Sequence, residues 1–161
     1  MNLTIAEIDD CSLKSEYCRE IIPLLPDWFG MAEANENYIS GMAGRVVFAA
    51  FQGEGLVGIV GLKDHMARSL EVWWMGVKPD CHGQGVGTDL FETARSYAVA
   101  HDYEYMIVNT LSDRSDDEYY ARTRAFYQKM GFDSLFEENE NDPLNPMVWM
   151  ILPLSGGREN D

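Results

Sequence analysis

The feature that most constrains this chain is a glycine-dense segment at positions 83–87 that separates two kinds of hydrophobic periodicity. Before it, residues 70–77 form an apolar run of the length of a strand. After it, apolar side chains recur every three or four residues, which indicates one face of a helix. This helical stripe consists of Val86, Leu90, Ala94, Tyr97, Ala98 and His101. The segment therefore predicts a strand that passes through a tight turn directly into a helix.

The same turn is a candidate anion site. Glycines at positions 83, 85 and 87 permit unusual backbone dihedrals and allow a ligand to approach the main chain closely. The first N–H groups of the following helix lack intrahelical acceptors, and the helix dipole adds positive potential there. A Walker loop would need a lysine before Thr88, and a dinucleotide fingerprint would need a different glycine spacing. A turn with a purely structural role remains the alternative.

The rest of the chain alternates between strand-like and helix-like patterns. Helices are predicted within residues 12–44, with a break near Pro23 and Pro26, and again from a capping box formed by Ser115 and Glu118 to a C-cap at Gly131. Strands mixed with helices in this order indicate a mixed sheet covered by helices. The further strand-like runs are residues 3–8, 46–51, 56–62, 104–109, 132–136 and 147–152.

Length and charge limit the classes of function. The 161 residues suit one domain, predicted over 1–154, with a mobile C-terminal tail at 155–161. The 27 acidic and 12 basic side chains give a formal net charge of −15, which disfavours binding to nucleic acid or to an anionic membrane. A cationic partner such as an amine would be attracted. The alternative is that the charge only keeps the protein soluble.

The cysteines and histidines predict neither disulfides nor a metal site. Cys11, Cys18 and Cys81 are odd in number and form no CxxC pair, which is typical of reduced thiols in a cytosolic protein. The three histidines also lack ligand-like spacing with them. Because no secretion signal is visible at the start of the sequence, we expect a cytoplasmic location.

Two motifs carry a family resemblance. Residues 77–90, V-x-P-x-x-H-G-Q-G-V-G-T-x-L, resemble the acetyl-CoA-binding motif Q/R-x-x-G-x-G/A of GNAT-superfamily N-acetyltransferases, with His82 at its first position. Residues 126–132, F-Y-Q-K-M-G-F, resemble the family motif F-Y-x-x-x-G-F. The resemblance implies an α/β (mixed α+β) fold with a central, mixed, largely antiparallel sheet of about seven strands and four flanking helices. The implied order of elements along the chain is one strand, two helices, three strands, one helix, one strand, one helix and two strands.

The resemblance also implies acetyl-CoA as the co-substrate, with no metal. In the family, pantetheine lies along the fourth strand, here at Met75 and Val77, and often contacts the end of the fifth strand, here Asn109. Arg124, one turn before Tyr127, is a candidate for contact with the CoA phosphates. Simple alternatives are a strand-ending turn residue at Asn109 and a solvated helix face at Arg124. The CoA pyrophosphate would rest on the backbone amides of His82, Gly83, Gln84, Gly85, Val86 and Gly87.

Acetyl transfer to an amine requires movement of protons. An alkylamine with a pKa near 10.4 is mostly protonated at neutral pH, and reaching the free base costs about 4.6 kcal/mol. The resemblance implies that Glu71, six residues before Val77, accepts this proton and that Tyr127 donates one to the leaving thiolate. Alternatively, Glu71 merely starts a strand at the solvent edge, and Tyr127 packs in a core stripe with Phe126 and Met130.

In the family, the acceptor pocket lies between the first helices and the last hairpin, which here points to Asp27, Trp28, Phe29 and Glu33. Aromatic rings beside carboxylates suit a cationic amine, either a small molecule or a peptide, although a local hydrophobic cluster is the simpler explanation. A homodimer is compatible with the family. Two rival functions remain open at this point: a non-catalytic acyl-CoA-binding or regulatory module of the same fold, and a nucleotide-binding α/β domain.

Overall fold

The computed structural model of the protein describes residues 2–140 and 142–154, so the predicted tail at 155–161 lies outside the described residues. Within this part of the chain, the predicted strands and helices all form, in the predicted order. They are β1 (Leu3–Ile8), α1 (Cys11–Ile21), α2 (Ala32–Gly41), β2 (Val46–Gln52), β3 (Gly55–His65), β4 (Ser69–Val77), α3 (Val86–Ala100), β5 (Tyr105–Leu111), α4 (Glu118–Lys129), β6 (Asp133–Glu138) and β7 (Met147–Pro153).

The strands form a seven-stranded sheet in the order β1-β2-β3-β4-β5-β7-β6. The pair β4 and β5 is parallel, whereas β1–β2, β2–β3, β5–β7 and β6–β7 are antiparallel. This arrangement confirms the predicted mixed, largely antiparallel sheet with four helices. Among the described residues, no helix is both long and apolar enough to cross a membrane.

Two compact units divide the chain, and β4 contributes residues to both. The first unit contains Met1–Lys63 and Trp73–Tyr97. In it, α1 begins at the N-cap Asp10, whose carboxylate accepts a hydrogen bond from the Leu13 amide, and it ends before Pro23, as predicted. Its buried core comes from the first two helices, the short segments that follow them and strands β2 to β4: Cys18, Ile21, Ile22, Leu25, Ile39, Met42, Val47, Ala49, Leu56, Ile59 and Trp74.

The second unit contains Asp64–Val72 and Ala98–Asp161. Its helix α4 corrects one prediction, because the N-cap is Asp117 and not Ser115. The Asp117 carboxylate accepts hydrogen bonds from two amides of the first turn, whereas Ser115 ends a separate 3₁₀ turn. At the other end, Gly131 directly follows the C-cap Met130 and has a φ of +106°, which confirms that a glycine with positive φ ends the helix.

A glycine in β4 makes room for a buried indole. A Cβ atom added to Gly76 would overlap Trp74 Cη2 and lie 3.0 Å from Leu25 Cδ1. Because Trp74 is only 3% exposed, its ring has little space into which to move. We expect Gly76→Ala to lower the free energy of unfolding by about 1–3 kcal/mol, measured by urea denaturation.

Gly44→Ala is the matched control, since a Cβ atom there would have no heavy atom within 4 Å. Its effect should stay within about 0.5 kcal/mol. Equal stability of the two variants would contradict the packing argument at Gly76.

Candidate active site

The turn after β4 has the backbone geometry that its glycines predict. Gly83 and Gly85 have φ values of +75° and +84°, a region that favours glycine. A Cβ atom added at either position would have no heavy atom within 4 Å, so the space above the turn is open. The turn leads directly into α3, whose first amides lack intrahelical acceptors. An anion such as a diphosphate would therefore fit against residues 83–87.

Hydrogen bonds within the turn distinguish His82 from the other predicted phosphate contacts. The His82 amide donates to the Pro79 carbonyl over 3.1 Å, so this amide already has an acceptor. The Gln84 side-chain amide donates to the Asp80 carbonyl over 3.0 Å and thereby braces the turn. The other candidates for phosphate contact are the main-chain groups of residues 83–87. These residues directly precede α3 or lie in its first turn.

The His82 side chain holds the turn to the end of β4. Its Nε2 lies 2.7 Å from the Val77 carbonyl oxygen, and because a carbonyl only accepts, this nitrogen carries the hydrogen. The ring also packs edge-to-face on Trp28, with centroids 5.9 Å apart. Trp28, predicted from sequence as an acceptor-side residue, therefore contacts the predicted CoA turn. The sequence gives no signal for this contact, since Trp28 and His82 lie in distant segments.

The predicted acceptor residues belong to an aromatic cluster of the first unit. Phe29 is half-buried and packs 5.2 Å from Trp74 and 5.9 Å from Tyr38, measured between ring centroids. Tyr38 in turn packs against Trp73 at 5.2 Å. Tyr38 and Trp73 were not among the predicted residues. The predicted carboxylates Asp27 and Glu33 are exposed to solvent.

In the second unit, Glu71 does not lie at the solvent edge. It is 9% exposed and lies opposite Ile107 in the parallel pairing of β4 with β5. Its Oε1 is 2.7 Å from Nε2 of His65, the last residue of β3. A role for His65 was not predicted from the sequence. A signal was available, because a histidine and a glutamate on either side of a short connection between two strands can form such a pair.

Tyr127 is a buried residue of α4. It is 5% exposed, and its ring makes edge-to-face contacts with Phe126 at 5.3 Å and Phe132 at 5.4 Å. Burial raises the pKa of the Tyr127 hydroxyl above its usual value. The hydroxyl is therefore protonated at neutral pH, as a proton donor must be.

Asn109 and Arg124, the other predicted CoA contacts, differ in whether their polar side-chain atoms have hydrogen-bond partners. Asn109 Oδ1 is buried without a hydrogen-bond partner among the described residues. An unpaired buried acceptor is costly, and an amide N–H of a bound ligand would satisfy it. Arg124 Nη1 donates to the Leu111 carbonyl over 2.6 Å, which ties α4 to the end of β5. The strand residues Met75 and Val77 are half-buried.

The three cysteines are free thiols, as predicted. Cys11 is exposed to solvent and Cys81 is half-buried. Burial raises the pKa of the Cys18 thiol from 9.0 to about 12. A search of the described residues found no group of three or more His, Cys, Asp or Glu side chains that could hold a metal ion.

Alkylation by iodoacetamide at pH 8 should therefore spare Cys18 in the native protein. A pKa higher by three units lowers the thiolate fraction by about a thousandfold. Peptide mass spectrometry should find Cys11 modified and Cys18 intact, with Cys18 modified once urea unfolds the chain. Labelling of Cys18 at the rate of Cys11 would contradict its burial.

Comparison with known proteins decides the family. The sequence profile of the acetyltransferase (GNAT) domain matches residues 43–134, more than half of the 161 residues, and this range includes both motifs. The chain belongs to the GNAT family of acetyltransferases. A search of curated proteins found no match for it.

Solved structures share the fold of this GNAT acetyltransferase at low sequence identity. A protein from Desulfovibrio desulfuricans, described as a GNAT-family acetyltransferase, has a TM-score of 0.82 and 14% identity, covering 96% of this chain and 100% of that one. The ribosomal-protein-S18-alanine N-acetyltransferase of Escherichia coli has a TM-score of 0.77 and 18% identity, covering 99% of each chain. A GNAT acetyltransferase from Elizabethkingia anophelis with acetyl-CoA bound has a TM-score of 0.73 and 16% identity, covering 95% of this chain and 99% of that one.

Proposed function

We propose that this protein transfers the acetyl group of acetyl-CoA to a primary amine by direct attack of the amine on the thioester carbonyl. The observation that carries the proposal is the open turn with positive φ at Gly83 and Gly85, which leads into α3. Such a turn offers main-chain amides to a diphosphate. The related structure with bound acetyl-CoA from Elizabethkingia anophelis supports the choice of ligand.

The donor would be bound mainly by main-chain groups. The amides of residues 83–87 take the diphosphate, and the β4 backbone at Met75 and Val77 pairs with pantetheine in the manner of an added strand. The unpaired Oδ1 of Asn109 would accept a hydrogen bond from a pantetheine amide. A strand amide can also polarise the thioester carbonyl as charge develops on its oxygen.

The chemistry needs one proton acceptor and one proton donor. As the amine nitrogen bonds to the carbonyl carbon, the amine loses a proton at the pair formed by Glu71 and His65. As the C–S bond breaks, the leaving thiolate takes a proton from the Tyr127 hydroxyl, and solvent then returns a proton to the tyrosinate oxygen. Because burial raises the pKa of the Tyr127 hydroxyl, that hydroxyl still carries its proton when the thiolate forms.

The acceptor would be a cationic amine, either a small molecule or a peptide. The aromatic cluster at Phe29 and Tyr38 offers ring faces, and the exposed Asp27 and Glu33 offer negative charge. The net charge of −15 favours the approach of such a molecule. The E. coli neighbour, which acts on an alanine of ribosomal protein S18, shows that peptide amines belong in the panel of acceptors to be tested.

The test separates the proposed enzyme from its rivals. Acetyl-CoA, but not NAD or ATP, should raise the melting temperature, and mass spectrometry should detect label from acetyl-CoA on at least one amine of a broad panel. Stabilisation by NAD or ATP alone would favour a nucleotide-binding domain. Binding of CoA with no transfer to any amine would favour a non-catalytic acyl-CoA-binding module.

A further inference from the structure

We infer that the group that takes the proton of the amine is Nδ1 of His65, and that Glu71 is a positioning residue that holds the imidazole ring. The inference rests on the proposed transfer to an amine. It gives His65 the part that the family resemblance assigns to Glu71.

The backbone fixes the two side chains beside each other. His65 ends β3 and Glu71 lies near the start of β4, and the turn between them is closed by the Arg68 amide, which donates to the His65 carbonyl over 3.1 Å. Met66 and Ala67 both have positive φ, at 61° and 53°, as in the tight turns that join antiparallel strands. This connection places His65 Nε2 2.7 Å from Glu71 Oε1.

The chemistry of this hydrogen bond decides which atom can act as the base. An ionised carboxylate has only acceptor sites, so the hydrogen between the two groups belongs to Nε2 of the ring. In a neutral imidazole, the other nitrogen then carries a lone pair. Nδ1 can therefore take a proton, while Glu71 Oε1 accepts the hydrogen on Nε2 of the ring.

Exposure favours the same assignment. The His65 side chain is 36% exposed and the Glu71 side chain only 11%. The ring can therefore meet an incoming amine and later release its proton to water. The neighbouring carboxylate of Asp64 is engaged by the Tyr103 hydroxyl over 2.7 Å and by the Ala67 amide over 3.1 Å.

The amine proton passes first to His65 and then to water. The amine nitrogen forms its bond to the carbonyl carbon and gives a proton to His65 Nδ1. The resulting imidazolium is stabilised by the Glu71 carboxylate at Nε2, in the way that a buried aspartate supports the histidine of a catalytic triad. Water then takes the proton from the ring, and the neutral imidazole is restored.

Two substitutions distinguish His65 from Glu71 as the base. His65→Gln keeps a donor for Glu71 but has no basic nitrogen, so kcat should fall about a hundredfold or more while the KM for acetyl-CoA stays within about twofold. Glu71→Gln still accepts a hydrogen bond from Nε2 and should lower kcat only about tenfold. The reverse order of the two losses would assign the proton to Glu71 and overturn the inference.

Rescue and control variants exclude a merely structural effect. Imidazole added to His65→Ala should restore part of the lost rate, and it should leave Glu71→Gln unchanged. Met66→Asn replaces the exposed neighbour of His65 with a residue that tolerates positive φ, and it should keep the wild-type rate. Absence of rescue would count against a base at position 65.

Nitrogen-15 NMR of the imidazole ring gives a readout that needs no turnover. In the neutral form of the ring, hydrogen on Nε2 and a bare Nδ1 are expected, and that signature should change in Glu71→Gln. Hydrogen on Nδ1 of the neutral ring would overturn the inference even in an active enzyme. Failure of the wild-type protein to acetylate any amine would instead refute the proposed function, whatever the tautomer.

Discussion

Tyr127→Phe is expected to lower kcat for acetyl transfer by at least about tenfold while CoA binding is retained, because general acids contribute typically 10²–10⁴-fold. The substitution removes the hydroxyl but keeps the ring that packs on Phe126 and Phe132. Steady-state kinetics would measure the loss of turnover, and calorimetry would show that the affinity for CoA is kept. Since burial raises the pKa of the hydroxyl, ionisation of Tyr127 should cause no fall in activity below about pH 10.

Tyr119→Phe is the matched control for this substitution. Tyr119 is a half-buried tyrosine of the same helix, and the guanidinium carbon of Arg122 lies 5.4 Å from its ring centroid, a contact that phenylalanine keeps. Its loss of a hydroxyl should leave turnover unchanged. An unchanged rate in Tyr127→Phe would remove Tyr127 from the mechanism and leave it a packing residue.

Gly85→Ala is expected to raise the Kd for CoA about tenfold. A non-glycine residue in the left-handed region costs about 1–2 kcal/mol, so the turn should relax away from the φ of +84° that it has here. Binding must then restore the original backbone, and 1.4 kcal/mol corresponds to a factor of ten in affinity. Isothermal titration with CoA measures the change.

Gly53→Ala tests whether backbone strain alone explains that result. Gly53 lies between β2 and β3 with a φ of +61°, and like Gly85 it has open space where a Cβ atom would stand. Both variants should lose similar stability, but Gly53→Ala should bind CoA as the wild type does. Equal affinity for CoA in both variants would show that the turn at Gly85 does not hold the ligand.

Local patterns in the sequence predicted most of the fold, because each strand and helix is determined largely by its own hydrophobic periodicity. The end of α4 at Gly131 was predicted for the same reason, since glycine is favoured at that backbone conformation. The start of α4 was not. Ser115 and Asp117 both have side chains that can cap a helix, and the choice of Asp117 depends on the 3₁₀ turn that precedes it.

The candidate site was predictable only where its parts are contiguous in sequence. The glycine turn is one short segment, so its geometry follows from its own residues. The contacts of Trp28 with His82 and of His65 with Glu71 join separate segments, and their formation depends on strand pairing and on how α1 and α2 are connected. A single sequence contains the chemical groups but not these distances.

The glycine turn has a consequence for an enzyme that handles a reactive thioester. Lysine side chains are themselves nucleophiles, and a phosphate-binding lysine could be acylated by the donor that it holds. Amide nitrogens of the main chain do not react in this way. Lys78, just before the turn, lies with its Nζ 3.4 Å from Glu20 Oε1, so a carboxylate on its own protein already pairs with it. A binding surface made of peptide groups would thus be protected from self-modification over many turnovers.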